Sequence, residues 1–139
     1  MTAKQWLMRA WRIDREILSL VRAKERTRAR VLSMTQSYSG NAVSGTKDPH
    51  KHDKLAVLED AIDRRIEELV DIKAEVFNVI MQVQDSRYRR ILMDRYIGNE
   101  SWDQIAYNER YDKRHVCRLH GEALRAVEQF LPDYVRKCH

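Results

Sequence analysis

The stretch "ESWDQIAYNERYDKRHVCRLHGEAL", residues Glu100 to Leu124, holds two short apolar patterns separated by a polar, tyrosine-rich gap. Ser101 followed three residues on by Gln104 has the form of a capping box, in which each residue satisfies a free amide of the other. Trp102, Ile105 and Ala106 then line one side of a short helix. "YNERY" turns the chain, and Asp112 caps a second helix expected to reach about Leu131 and stop before Pro132. At about 100° per residue, Val116, Leu119, Ala123, Val127 and Phe130 fall within about 80° of arc. The opposite side carries Arg114, Arg118, Gly121 and Arg125, with Lys113 and Cys117 flanking it near the helix start. One face suits burial, and the other suits an anionic partner or plain solvation of a basic face.

Working outward, Asp85-Ser86 can start a helix of its own. "YRRILMDRYI", Tyr88 to Ile97, offers Tyr88, Ile91, Leu92 and Tyr96 as an inward face. Gly98 is expected to end it in a left-handed conformation. Three short helices after residue 86, the last two joined by a tight turn, have the outline of a helix-turn-helix. The final helix places its cations where a recognition helix meets the major groove. There arginine and lysine reach base edges or phosphates, and Gly121 leaves room for the backbone to approach.

Upstream, residues 2–34 lack glycine and proline. Trp6, Ala10, Ile13, Ile17, Leu20, Val31 and Met34 fit a 3-4 frame broken by Lys24 and Thr27. Residues 35–52 lose that period and read as a mobile polar loop. A second helix, capped by Asp53, carries Leu55, Leu58, Ile62, Leu69, Ile72, Val76, Val79 and Val83 on the same spacing. A seam this narrow and this long predicts a coiled coil. The two helices are expected to fold back as an antiparallel hairpin, with pairing to a second copy (a homodimer) as the competing choice.

Charge is unevenly placed. Residues 1–34 balance at +6, residues 35–84 at −3 and residues 85–139 at +2. The basic run Arg22 to Arg30 therefore has two readings, an auxiliary surface for DNA or a partner for the acidic second helix. No secretory leader is expected, because charged residues interrupt positions 1–21, and no apolar run is long enough to span a membrane. Cys117 and Cys138 read as free thiols of a reducing cytoplasm. "HKH", His50 to His52, and the pairs Cys117/His120 and Cys138/His139 lack zinc-site spacing. No nucleophile motif or phosphate-cradling glycine loop is present, so neither catalysis nor a cofactor is expected.

Residues 87–131 resemble region 4 of bacterial sigma factors, the part that reads the −35 promoter element. "WDQIA" is similar to that family's short "EEIA" helix, and "DKRHVCRLHGEAL" to its capped recognition helix. The combination with "RYI" is closer still to phage-encoded regulators of the RinA and ArpU type, small activators of late transcription preceded by a predicted coiled coil. Asp112, His115 and Cys117 depart from the family pattern. The resemblance places base reading on Lys113, Arg114 and Arg118, with Cys117 adjacent. Arg118 stands where sigma factors often carry glutamine, and arginine prefers the acceptor edge of guanine. Amides around Ser101 and Trp102 suit a phosphate, with Arg125, Arg136 and Lys137 as further phosphate contacts.

The chain is thus expected to be all-α, with a helical hairpin over 1–84 and a sigma region-4-like helix-turn-helix over 85–139. The resemblance implies a phage or prophage regulator in the bacterial cytoplasm, binding double-stranded DNA and acting with RNA polymerase. A DNA-packaging protein like a terminase small subunit, or a helical protein-interaction module, are the alternatives.

Overall fold

The computed structural model describes the backbone of residues 1–39 and 51–136, and the side chains of these except 35–39 and 51. The described residues form helices and no strand: α1 (Ala3–Ser39), α2 (Lys51–Met81), α3 (Ser86–Leu92), α4 (Trp102–Glu109), α5 (Lys113–Val127) and α6 (Asp133–Arg136). No helix among them is long and apolar enough to cross a membrane.

Local chemistry sets most of the boundaries. Thr2 and Gln5 form a full capping box at the start of α1, with Thr2 N–H donating to Gln5 Oε1 (2.8 Å) and Gln5 N–H to Thr2 Oγ1 (3.2 Å). Asp85 accepts the Arg87 amide at 2.9 Å and caps α3. Ser101 accepts the Gln104 amide (3.1 Å) and Asp112 the His115 amide (2.8 Å), as expected for α4 and α5. Only half of the expected box at Ser101 forms, because the Gln104 side chain turns forward to Asn108 at 2.8 Å.

Several boundaries differ from expectation. The period predicts loop from residue 35, yet α1 continues to Ser39 and α2 begins at Lys51. Residues 40–50 of that loop lie outside the described residues. Asp53 sits in the first turn of α2 rather than before it. The last long helix ends at Val127, tightens into a 3₁₀ turn over Glu128–Phe130, and resumes as α6 after Pro132. Gly98 is right-handed (φ −83°) and the left-handed residue is Asn99 (φ 56°). The α3 helix widens into a π turn, Met93–Ile97, before it ends. There a Cβ on Gly98 would stand 3.0 Å from the Asp94 carbonyl oxygen, so glycine answers a close approach and not a positive φ.

The chain divides into two compact units, Met1–Asp14 with Val70–His139, and Arg15–Leu69. The division expected at 84/85 is not the one observed. In the first unit, Ala3, Trp6, Leu7 and Ala10 of α1 share a core with Val76, Val79, Ile80 and Val83 of α2, and with Leu92, Tyr96, Val127 and Val135. Leu7 and Ile80 lie outside the 3-4 frame, because these helix ends have more than one neighbour and bury a wider stripe than a two-helix seam does. Trp6 Nε1 donates to the Tyr134 hydroxyl at 2.9 Å, tying α6 to α1. A second cluster, Ile91, Ile105, Val116 and Leu119, joins α3, α4 and α5.

The second unit is the hairpin itself. Lys24 pairs with Asp63 (2.9 Å) and Arg28 with Glu59 (3.0 Å). Four residues forward on α1 meet four residues back on α2, the register of an antiparallel pair. Ile62 and Leu69 are buried, while Ile17, Leu20 and Val31 are half-buried and Met34 and Leu58 exposed. The seam thus thins toward the far end.

Because residues 1–14 belong to the core of the first unit, a fragment of residues 85–139 is expected not to fold alone. Circular dichroism of that fragment checks this. In the full chain Trp6→Ala is expected to cost about 3–5 kcal/mol, as for other buried tryptophans, read by urea unfolding.

Candidate nucleic-acid interface

The candidate surface is the outer side of α5. Its back is fixed first: Val116, Leu119, Ala123 and Val127 are buried against the two core clusters. His120 completes that buried stripe. Helical geometry then turns Lys113, Arg114, Cys117, Arg118 and Arg125 outward, and all five are exposed.

These cations are held to different degrees. Among the described residues, Arg114 and Arg125 make no hydrogen bond or ion pair. Lys113 lies 3.3 Å from Asp103, with the two side chains 62% and 82% exposed. Such a pair contributes about 0–1 kcal/mol, so Lys113 can exchange it for another anion. An Arg118 guanidinium N–H donates to His115 Nδ1, and Tyr111 stands edge-on to that imidazole at 4.6 Å. His115 thus aims Arg118 along the face, a role that caps and periodicity do not reveal. Its only local signal is the three-residue spacing of His115 and Arg118, with Tyr111 one turn earlier. A Cβ at Gly121 would meet nothing within 4 Å, so the middle of the face is open.

Ser101 and Trp102 stand apart from this row. Ser101 is exposed, and its hydroxyl caps α4. The Trp102 ring turns inward, with its centroid 4.5 Å from the Arg95 guanidinium and 4.6 Å from the His120 ring. Only its backbone remains for a phosphate. Arg95 also lies over Trp11, at 5.3 Å. This two-indole cradle holds the start of α4 to the π turn and to α1, and no local sequence signal marks it. Arg136 is engaged internally, by Asp133 and by the Gln129 carbonyl at 3.4 Å. Lys137, Cys138 and His139 lie outside the described residues.

Two buried titratable groups sit behind the face. His120 Nε2 and the Tyr96 hydroxyl are hydrogen-bonded at 2.7 Å. Burial, reinforced by the charges of Lys4 and Arg95, pushes the imidazole down to about 4. Burial pushes the Tyr96 hydroxyl up to about 12. Asp94 is raised to about 6, first by burial and then by Glu100 and Glu109. With His120 committed to the core, Cys117 and His120 do not converge. No group of three metal-ligating side chains occurs among the described residues.

The fold and this surface define an all-helical protein in which a two-faced helix presents unpaired arginines beside a short capped helix. The chain belongs to the family described as protein of unknown function (DUF1492), whose model matches residues 32–128. That match runs from the last turns of α1 through α5. No curated protein and no solved structure matches the chain.

His120 and Asp94 pull stability in opposite directions on acidification. Between its ordinary 6.5 and about 4, the unfolded His120 takes up a proton that the folded ring refuses, so stability falls as pH falls. Between about 6 and 3.8, the folded Asp94 holds the proton more tightly, so stability rises as pH falls. Asp94→Asn is expected to stabilise the protein at pH 7 by roughly 1 kcal/mol at most, given its partial exposure. It also steepens the loss of stability on acidification through the His120 window. Urea unfolding at several pH values measures both.

Proposed function

We propose that this chain is a sequence-specific DNA-binding transcriptional regulator, a phage or prophage sigma-factor-like activator of late genes that acts with RNA polymerase in the bacterial cytoplasm. One observation carries the reading. Arg114, Arg118 and Arg125 stand exposed on the side of α5 opposite its buried stripe, with exposed Lys113 flanking them at the helix start. A three-residue turn that includes left-handed Arg110 (φ 59°) joins α4 to α5. In this reading α4 and α5 are the two arms of a helix-turn-helix, and the first turns of α5 enter the major groove. The likeness of residues 87–131 to sigma region 4 supports the same assignment.

Roles follow from side-chain chemistry. Arg118, aimed by His115, reads a guanine edge with two parallel N–H donors. Arg114 and Lys113 contact neighbouring bases or phosphates. Arg125, two turns further on, meets the phosphate backbone. Cys117 packs beside these cations, and the Ser101–Trp102 backbone takes a phosphate at the start of α4. Affinity comes largely from phosphate neutralisation and falls steeply with salt.

Selection from a random duplex library with the purified protein tests the reading, and recovery of no motif defeats it. On the selected site, Arg118→Ala is expected to cost about 1–3 kcal/mol and to relax preference at one position. A uniform weakening across selected and scrambled duplexes, in gel shifts at two salt concentrations, would assign Arg118 to phosphate instead. Gly121→Ala is expected to stabilise the fold by about 0.5–1 kcal/mol, since the site is open and helix propensity improves. Gly121→Gln is expected to weaken DNA binding while raising the thermal midpoint slightly, for the same propensity reason.

A further inference from the structure

The basic segment Arg22 to Arg30 lies in the hairpin unit and outside the residues matched by the family. Its cations divide by helix face. Lys24 and Arg28 turn toward α2, where Asp63 and Glu59 receive them. Arg22, Arg26 and Arg30 recur every four residues and so share about 80° of arc on the other side. All three are exposed, and among the described residues none makes a hydrogen bond or ion pair. Glu25 stands at the margin of this face, exposed and bonded to none of them.

The arginines of α2 behave differently. Arg64 is held by Asp60 at 2.8 Å, and Arg65 by Glu16 at 3.0 Å and Glu68 at 3.1 Å. A face meant only for solvation intersperses both signs in this way, because like charges one turn apart repel. On α1 the repulsion is left standing. Ser19, Ala23, Ala29 and Ser33 surround the arginines, so no bulky side chain stands between them, while Leu18 and Met34 are exposed at the two ends of the row. The residue type is selective too. All three cations left outside are arginines, whose planar fork fits a phosphate. Three guanidinium groups at about 6 Å steps span about 12 Å along the helix. That is the axial length of three to four phosphate-to-phosphate steps of one DNA strand at about 3.4 Å each.

We propose that Arg22, Arg26 and Arg30 form a second, sequence-independent contact with the phosphate backbone of double-stranded DNA. The proposal rests on the DNA-binding reading of α5 and adds a surface that neither α5 nor the family match contains. The segment thereby does two jobs at once. Its inward cations set the register of the hairpin, and its outward cations hold the duplex without reading it.

The test uses the full chain and long duplexes, one carrying the selected site and one scrambled, with binding measured by fluorescence anisotropy over a salt series. The triple variant Arg22→Gln, Arg26→Gln, Arg30→Gln is expected to bind both duplexes more weakly by the same factor. Its slope of log affinity against log salt is expected to be shallower by about 2–3, or about 0.9 for each phosphate no longer neutralised. Its thermal melt should match or exceed that of the unmodified chain, which excludes unfolding as the cause. The double variant Lys24→Gln, Arg28→Gln controls for charge in the same segment, melting lower but keeping the original slope. An unchanged slope in the triple variant, or a weakening confined to the selected site, overturns the proposal. So does weaker binding to anionic vesicles with DNA binding intact. If the unmodified chain binds neither duplex, the DNA-binding reading fails with it. If that chain binds and the triple variant binds equally, the α5 reading stands and only the second surface is refuted.

Discussion

Helix α5 can face outward with its arginines only because its back is buried. Burying a valine or leucine side chain is worth about 1.5–3 kcal/mol, and Val116, Leu119 and Val127 are each essentially inaccessible. The exposed ion pairs around the helix contribute about 0.2–1 kcal/mol apiece. Apolar contact therefore sets the rotation of α5, and electrostatics is left free to act on what comes from outside. The same logic explains His120. As a neutral imidazole bonded to Tyr96 it belongs to the stripe, and as a cation it would oppose the burial that holds the helix in place.

The support beneath that helix comes from far along the chain. Trp6, Leu7 and Ala10 lie in the same cluster as Ala123, Val127 and Val135. Trp11 and Trp102 both receive the Arg95 guanidinium, an interaction of about 0.5–1 kcal/mol or more per ring. The chain thus uses α1 twice. Its first turns complete the core behind α5, and its later turns pair with α2 through Lys24 and Arg28.

How much of this could be read from residues depended on distance along the chain. Caps act over two or three residues, and Asp85, Ser101 and Asp112 do what their positions imply. The 3.6-residue period likewise gives the two faces of α5. Failures begin where a second neighbour intervenes. The 3-4 frame assumes one partner helix and so misses Leu7 and Ile80, which several elements bury. Gly98 follows helix-end statistics into a left-handed state, but the π turn moves that state to Asn99 and leaves glycine to relieve crowding. Composition could not divide the basic segment, since which of its cations meet α2 depends on register. Arg95 between two indoles, and His115 aiming Arg118, exist only once the chain is folded.

The hydrogen bond from Trp6 to Tyr134 closes a loop of 128 residues. Contacts between groups so distant in sequence form late and raise contact order, which slows folding even in helical proteins. While the chain is being synthesised, Trp6 and Leu7 can meet α2 once it emerges, but the side of their core that Val127 and Val135 fill stays open until α5 and α6 follow. The face of α5 gains its rigid backing only then, so a growing or truncated polypeptide carries the arginines without the frame that aims them.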